Sequence, residues 1–237
     1  MSAEFDNLIY ENPLSTQKDV ADFVMEGKGT VTFPKGRMRM ESILSPDKDQ
    51  DPNIVYWCPV DFPEDICIKW DFWPIKEPGL CIIFFAAKGR NGEDLFSDEL
   101  EERTGIYGQY TMGDINAYHL SYFRRKHPIN ARAFQTCNLR KSHGFHMVAR
   151  GGDPLPSVND AVPPYHITLK KKGGQISFLI EMDTYENYDN TREGVTALQW
   201  KDDGKEYGPV LKGGKIGFRQ MAPLIAEYAN LRVYTTK

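Results

Sequence analysis

The sequence holds no unbroken apolar stretch near the roughly 18 residues of a membrane-spanning helix, and its start, MSAEFDNLIYENPL, lacks the basic and then apolar profile of a secretory signal. No membrane partner is expected, and the expected compartment is the cytoplasm. The cysteines form no C-x-x-C pair. Cys58, Cys67, Cys81 and Cys137 stand singly in apolar runs such as GLCIIFFAA, which predicts reduced, buried, structural thiols and no zinc site. A Gly-rich phosphate loop, H-E-x-x-H and G-x-S-x-G are all missing, which disfavours nucleotide, zincin and serine-hydrolase chemistry. No cofactor is expected. Calcium stays open only through the oxygens of SVNDA and YDN, and polar loops of that kind ordinarily bind no metal.

The most local absence is of acid. From Ile115 to Gly152 there is no Asp or Glu, while Arg124, Arg125, Lys126, Arg132, Arg140, Lys141 and Arg150 all fall there. Because the whole chain has a formal net charge of -4, the remainder is correspondingly acidic. Such a remainder repels a long polyanion, so no nucleic-acid partner is expected and a smaller anionic ligand suits the split. Ordinary solvated surface charge remains the alternative reading.

What is present in quantity is strand. GTVTF, RMRMES, NIVYWC, ICIKWDFW, GLCIIFFAA, AYHLSYFR, RAFQTCNLR, FHMVAR, YHITLKKK, QISFLIEM, TALQWK, GKIGFRQM and IAEYANLRVYTT are bounded by Pro, Gly, Asn and Asp clusters. They predict an all-β, antiparallel two-sheet sandwich, a single domain over residues 1–237. Helix is expected only in TQKDVADF, capped by Thr16 with Asp19 three residues on, and in DLFSDELEERTG, from an Asp94 or Ser97 cap to Gly105. GGDPLPSVNDAVPPY and DTYENYDNTREG read as long loops.

Strand alternation sorts side chains onto two faces. Tyr118, Leu120 and Tyr122 oppose His119, Ser121 and Phe123, while Cys137 and Leu139 oppose Thr136, Asn138 and Arg140. With leucine as the core marker, His119, Ser121, Asn138 and Arg140 fall on the other face. In ICIKWDFW, Ile66, Ile68, Trp70 and Phe72 point inward and Lys69, Asp71 and Trp73 outward. One face is thus expected to gather the His, Asn, Arg, Asp and Trp that grip a polar ring. Arg219 of GKIGFRQM is counted with the substrate-binding candidates, and Trp57 and Trp73 as rings that stack on a sugar, with core packing as the alternative for both tryptophans.

The runs KWDFWPIKEPGLCIIFFAAKGRNGEDLF, GDINAYHLSYFRRK, TCNLRKSHGFH and YGPVLKGGKIGFRQMAP resemble the bacterial YesU-like family, a group of unknown function, over nearly the whole chain. The resemblance implies a concanavalin A-like or galectin-like sandwich whose concave face holds a saccharide. It also implies a setting in bacterial use of plant pectins, whose sugars are acidic. EMDTYENYDNTREG departs from the short turn expected of the family. A uronate carboxylate would be recognised bidentately by Arg140 and singly by Asn138 or His119.

Three chemistries compete for such a face. A lyase on uronates needs a carboxylate neutraliser and a base, with His119, Tyr122 and His146 as base candidates. A glycoside hydrolase needs two carboxylates: Glu181, Asp183 and Glu186 form E-x-D-x-x-E, and Glu93 with Asp94, or Asp71 with Asp114, are alternatives. A lectin-like module needs Arg, Asn and Trp and no base. The expected partner in each case is an oligosaccharide, uronate-containing as the resemblance implies and in keeping with the charge split.

Overall fold

Strands form wherever alternation or a doubly apolar run lets a face be buried. The computed structural model describes residues 5–126, 134–183 and 192–236. Its strands are β1 (Asn7–Asn12), β2 (Val24–Glu26), β3 (Gly29–Thr32), β4 (Met38–Ser42), β5 (Ile54–Trp57), β6 (Ile66–Lys76), β7 (Gly79–Gly89), β8 (Ile115–Arg125), β9 (Thr136–Ser142) and β10 (His146–Gly152). Then follow β11 (Tyr165–Lys172), β12 (Gln175–Asp183), β13 (Arg192–Lys201), β14 (Lys215–Met221) and β15 (Ile225–Thr235). All thirteen strands expected from the sequence are present. One antiparallel sheet has the order β13-β12-β11-β6-β15-β4-β3, with β1 also on β15; the other runs β10-β9-β8-β7-β14-β5-β2.

The core between the sheets takes the inward sets expected from alternation: Ile68, Trp70 and Phe72 from β6, Tyr118, Leu120 and Tyr122 from β8, Cys137 and Leu139 from β9. Each such large side chain contributes about 1.5–3 kcal/mol by leaving water. A second apolar cluster lies on the opposite face of the seven-stranded sheet, where Val55, Trp57, Leu80, Ile82 and Phe84 are covered by Leu95 and Tyr110. That cover explains why β7 reads as a continuous apolar run: both of its faces are buried. The four cysteines are free and buried. Among the described residues no helix is long and apolar enough to cross a membrane.

The two helix expectations fare differently. TQKDVADF forms one 3-10 turn, Gln17–Val20, and the Asp19 carboxylate accepts from the Thr16 N–H and hydroxyl at 2.8 and 2.9 Å. DLFSDELEERTG forms no helix. Asp94 and Ser97 accept from the N–H groups of Phe96 and Glu99 two residues on, which makes turns. The Arg103 guanidinium is pulled inward to the Leu95 carbonyl (2.7 Å) and Glu26 (2.9 Å). The one α-helix among the described residues, α1, instead follows Gly105 and spans Tyr107–Thr111. At Gly105 (φ +92°) a Cβ would sit 2.0 Å from the Asn53 carbonyl oxygen, so only glycine lets the chain pass here.

Candidate functional site

On the outer face of the seven-stranded sheet, Asn138 (β9), Ser121 (β8), Ile82 (β7) and Arg219 (β14) are successive Cα partners and form one row across four strands. The next row holds Arg140, His119, Phe84, Gly217 and Trp57. Long strands paired in register thus bring polar residues together that are up to about a hundred positions apart. Above these rows is a cleft of about 210 Å³. Ser121, Asn138, Arg124, Arg140, Arg219 and Tyr107 give it polar groups, and Leu80, Ile82, Met221, Phe134 and Phe145 give it apolar walls.

Three guanidinium groups meet there, and among the described residues none has a carboxylate partner. Arg140 lies over the Phe145 ring at 3.7 Å and donates to the Phe145 carbonyl at 3.3 Å. Arg124 lies over the Phe134 ring at 4.0 Å and donates to the Phe134 carbonyl at 2.9 Å. In the orientation that satisfies the Asn138 amide, its oxygen accepts from Arg124 Nη1 (2.9 Å) and its nitrogen donates to Thr136 Oγ1 (3.0 Å). Arg219 is fully buried, flanked by the Tyr107 and Tyr110 rings at 5.0 and 5.4 Å, and its Nη1 donates to the Gly105 carbonyl at 2.6 Å. Its Nε and Nη2 have no hydrogen-bond partner among the described residues. Two further basic residues of the acid-free segment differ: Arg125 pairs with Asp153 (3.0 Å) and Lys141 with Asp202 (2.6 Å).

His119 supports the cleft from beneath. Ser142 Oγ donates to the Tyr110 carbonyl at 2.8 Å, so it accepts from His119 Nε2–H at 3.1 Å. Nδ1 is then bare and accepts from the Tyr107 hydroxyl at 2.8 Å. Burial, followed by repulsion from Arg140 and Arg219, pushes the His119 pKa down to about 3, and burial pushes that of Tyr107 up to about 12. The imidazole is therefore neutral, with both nitrogens engaged inside the fold.

Of the residues predicted from sequence, Ser121, Asn138, Arg140 and Arg219 line the cleft and His119 reaches it through Tyr107. The expectation that Tyr122 serves as a base is overturned: it lies in the core between the sheets, packed on Trp70, Phe72 and Phe178. His146 is exposed on β10 and stacks on Tyr207, away from the cleft lining. Trp57 is fully buried beside Tyr110, so the core-packing alternative holds for it and it cannot stack on a sugar. Asp71 and Trp73 belong to β6 in the other sheet, and their outward faces meet solvent on the opposite side of the sandwich. There Asp71 accepts from His166 Nδ1 and Asn230 Nδ2, both at 2.6 Å, and His166 Nε2 is 3.3 Å from Asp183.

Sequence reading missed Arg124 and Tyr107. Strict alternation puts Arg124 on the core side, but Phe123 adopts φ +44°, both Tyr122 and Phe123 enter the core, and Arg124 turns outward. Its place in the acid-free segment was the signal available. Among the described residues no carboxylate lines the cleft: Glu93 is hydrogen-bonded to Asn91, Asp94 pairs with Lys215, and Asp114 accepts from the Glu101 N–H. Glu181 and Asp183 are on β12 of the other sheet, and Glu186 and the YDN tract lie outside the described residues. Among the described residues no group of His, Cys, Asp or Glu is placed to hold a metal ion.

Residues 7–233 match the family described as a domain of unknown function, DUF1961. The chain belongs to this family. It is 49% identical over 226 residues to the uncharacterized protein YesU of Bacillus subtilis, covering 95% of this chain and 94% of that one. A crystal structure of a protein of unknown function with a galectin-like fold from Bacillus subtilis superposes with a TM-score of 0.86 at 48% identity, over 98% of this chain and 97% of that one. The lectin UEA-II complexed with galactose superposes with a TM-score of 0.55 at 11% identity, over 98% and 100% of the two chains, a likeness of fold alone. The galectin-like two-sheet fold is therefore that of the family.

Proposed function

We propose that the protein binds a carbohydrate carrying carboxylate groups, of the uronate type found in pectin, in the arginine cleft on the outer face of the seven-stranded sheet. The observation that carries the reading is the meeting of Arg124, Arg140 and Arg219 in one cleft with no carboxylate partner among the described residues. Guanidinium groups left unpaired beside apolar walls favour an anionic ligand, because the low local dielectric strengthens each charge-assisted hydrogen bond. The apolar walls suit the C–H face of a sugar ring. A volume of about 210 Å³ is below the ~300–1,000 Å³ usual for drug-sized ligands, so it suits one ring of a longer chain. The galactose-complexed lectin of like fold supports the carbohydrate class.

Binding fits the geometry better than turnover. A hydrolase needs a carboxylate pair, and among the described residues none lines the cleft. A lyase has its neutralising arginines here, but its base would be Tyr107, which is pushed up to about 12, stays protonated and donates its hydrogen bond to a neutral histidine. Calorimetric titration with acidic and neutral pectin oligosaccharides tests the proposal, with the mixtures also read for unsaturated products and new reducing ends. Acidic oligomers should bind and remain intact. Arg140→Ala should cost about 1.5–3 kcal/mol, a roughly ten- to hundredfold loss of affinity for acidic oligomers, and should affect neutral ones less. Equal acidic-sugar affinity in wild type and a folded Arg140→Ala protein would remove the reading.

A further inference from the structure

Arg219 is fully buried, and among the described side chains of the cleft it alone keeps two buried nitrogens without a described partner. Nearly all buried polar groups in folded proteins are hydrogen-bonded, so two orphaned N–H donors on one guanidinium call for a missing acceptor. The rest of that guanidinium is accounted for. Tyr107 and Tyr110 flank it at 5.0 and 5.4 Å, and Nη1 is held by the Gly105 carbonyl at 2.6 Å. What remains is the Nε–Nη2 edge, two parallel N–H vectors whose spacing matches the two oxygens of a carboxylate. No acidic side chain lines the cleft whose floor Arg219 forms, so the acceptor is not supplied by the described chain.

We infer that the Nε–Nη2 edge of Arg219 is the receptor for one ligand carboxylate, and that it is the residue by which the cleft tells a uronate from its neutral counterpart. The inference rests on the binding function proposed above and deepens it. Arg124 and Arg140 have hydrogen bonds within the protein and sit partly exposed at the mouth, where they add attraction for anions generally. Arg219 has the fixed orientation, set by two rings and one carbonyl, that discrimination requires. A neutral hexose places one hydroxyl where a uronate places a carboxylate, and leaves at least one donor of the edge unpaired in a buried site.

The test uses the full-length protein, with di- and trigalacturonate and the matching neutral galactose oligomers as probes. Arg219→Lys keeps the charge and removes the edge. It should weaken galacturonate binding roughly ten- to a hundredfold while neutral-oligomer binding changes little. In the wild-type protein, the Arg219 Nε–H resonance should shift and gain protection from solvent exchange when trigalacturonate is added. This second measurement decides the matter if Arg219→Lys does not fold. Should Arg140→Ala weaken galacturonate while Arg219→Lys does not, or should the Arg219 Nε–H resonance stay unmoved at saturation, the inference is overturned and the binding reading stands. If no galacturonate oligomer binds the wild-type protein, the binding reading itself is lost, and this inference with it.

Discussion

Tyr107 of α1 donates its hydroxyl proton to Nδ1 of the buried His119 on β8 across 2.8 Å, and this bond ties the cleft wall to the sheet beneath it. Tyr107→Phe keeps the ring beside Arg219 but leaves Nδ1 of the buried His119 without its donor. A stability loss of about 1–3 kcal/mol is expected in urea denaturation. An unchanged midpoint and slope would show that the bond carries no net weight.

His119 makes stability depend on acid in a defined sense. Its folded pKa is held down to about 3, by burial first, while the unfolded chain protonates it near 6.5. Between these values the unfolded state binds the extra proton, so the contribution is fully present above about pH 6.5 and falls as the pH is lowered. The slope reaches about 1.4 kcal/mol per pH unit. His119→Gln should be less stable at neutral pH but show a flatter decline toward pH 4. A parallel decline in both proteins would assign the acid sensitivity to other groups.

His166, on the far sheet, behaves in the opposite sense. The hydrogen bond to Asp71 raises its pKa above the ordinary histidine value, against the cost of burial. Its contribution is therefore complete below about pH 6.5 and is lost as the pH rises through the folded value. The gap in melting temperature between wild type and His166→Gln should be wider at pH 5.5 than at pH 8.5. A folded-state imidazole pKa below 6.5 in an NMR titration would rule this out.

The loop that covers Trp57 hangs on a buried ion pair. Arg103 Nη2 lies 2.9 Å from Glu26 Oε1, and Tyr110 donates to the other carboxylate oxygen at 2.7 Å. Arg103→Ala leaves Glu26 charged and buried and should cost about 3–5 kcal/mol. Tryptophan emission should shift to the red as the cover over Trp57 loosens. A loss below about 1 kcal/mol would mean that the loop is held by its apolar contacts alone.

The sequence by itself determined the strands and the faces of their side chains. A pleated strand has a fixed period of two, so Leu120 and Leu139 sufficed to place His119, Ser121, Asn138 and Arg140 together on the outer face. The acid-free segment likewise held Arg124 and Arg140, two of the three cleft arginines, but which of its basic residues found a carboxylate was settled by folding, which gave Arg125 to Asp153 and Lys141 to Asp202. Which sheet each strand joined was decided only by tertiary pairing, and that is why Asp71 and Trp73 lie on the far surface although their outward parity was read correctly. Arg124 reached the cleft because one backbone angle at Phe123 let two consecutive aromatics enter the core, a gain available only once the opposing sheet was in place. Tyr107 came from a helix set by Gly105 against Asn53, and Trp57 was sealed by the same segment. Contacts between segments far apart in sequence leave no periodic trace in either one, so the cleft took its final membership from packing.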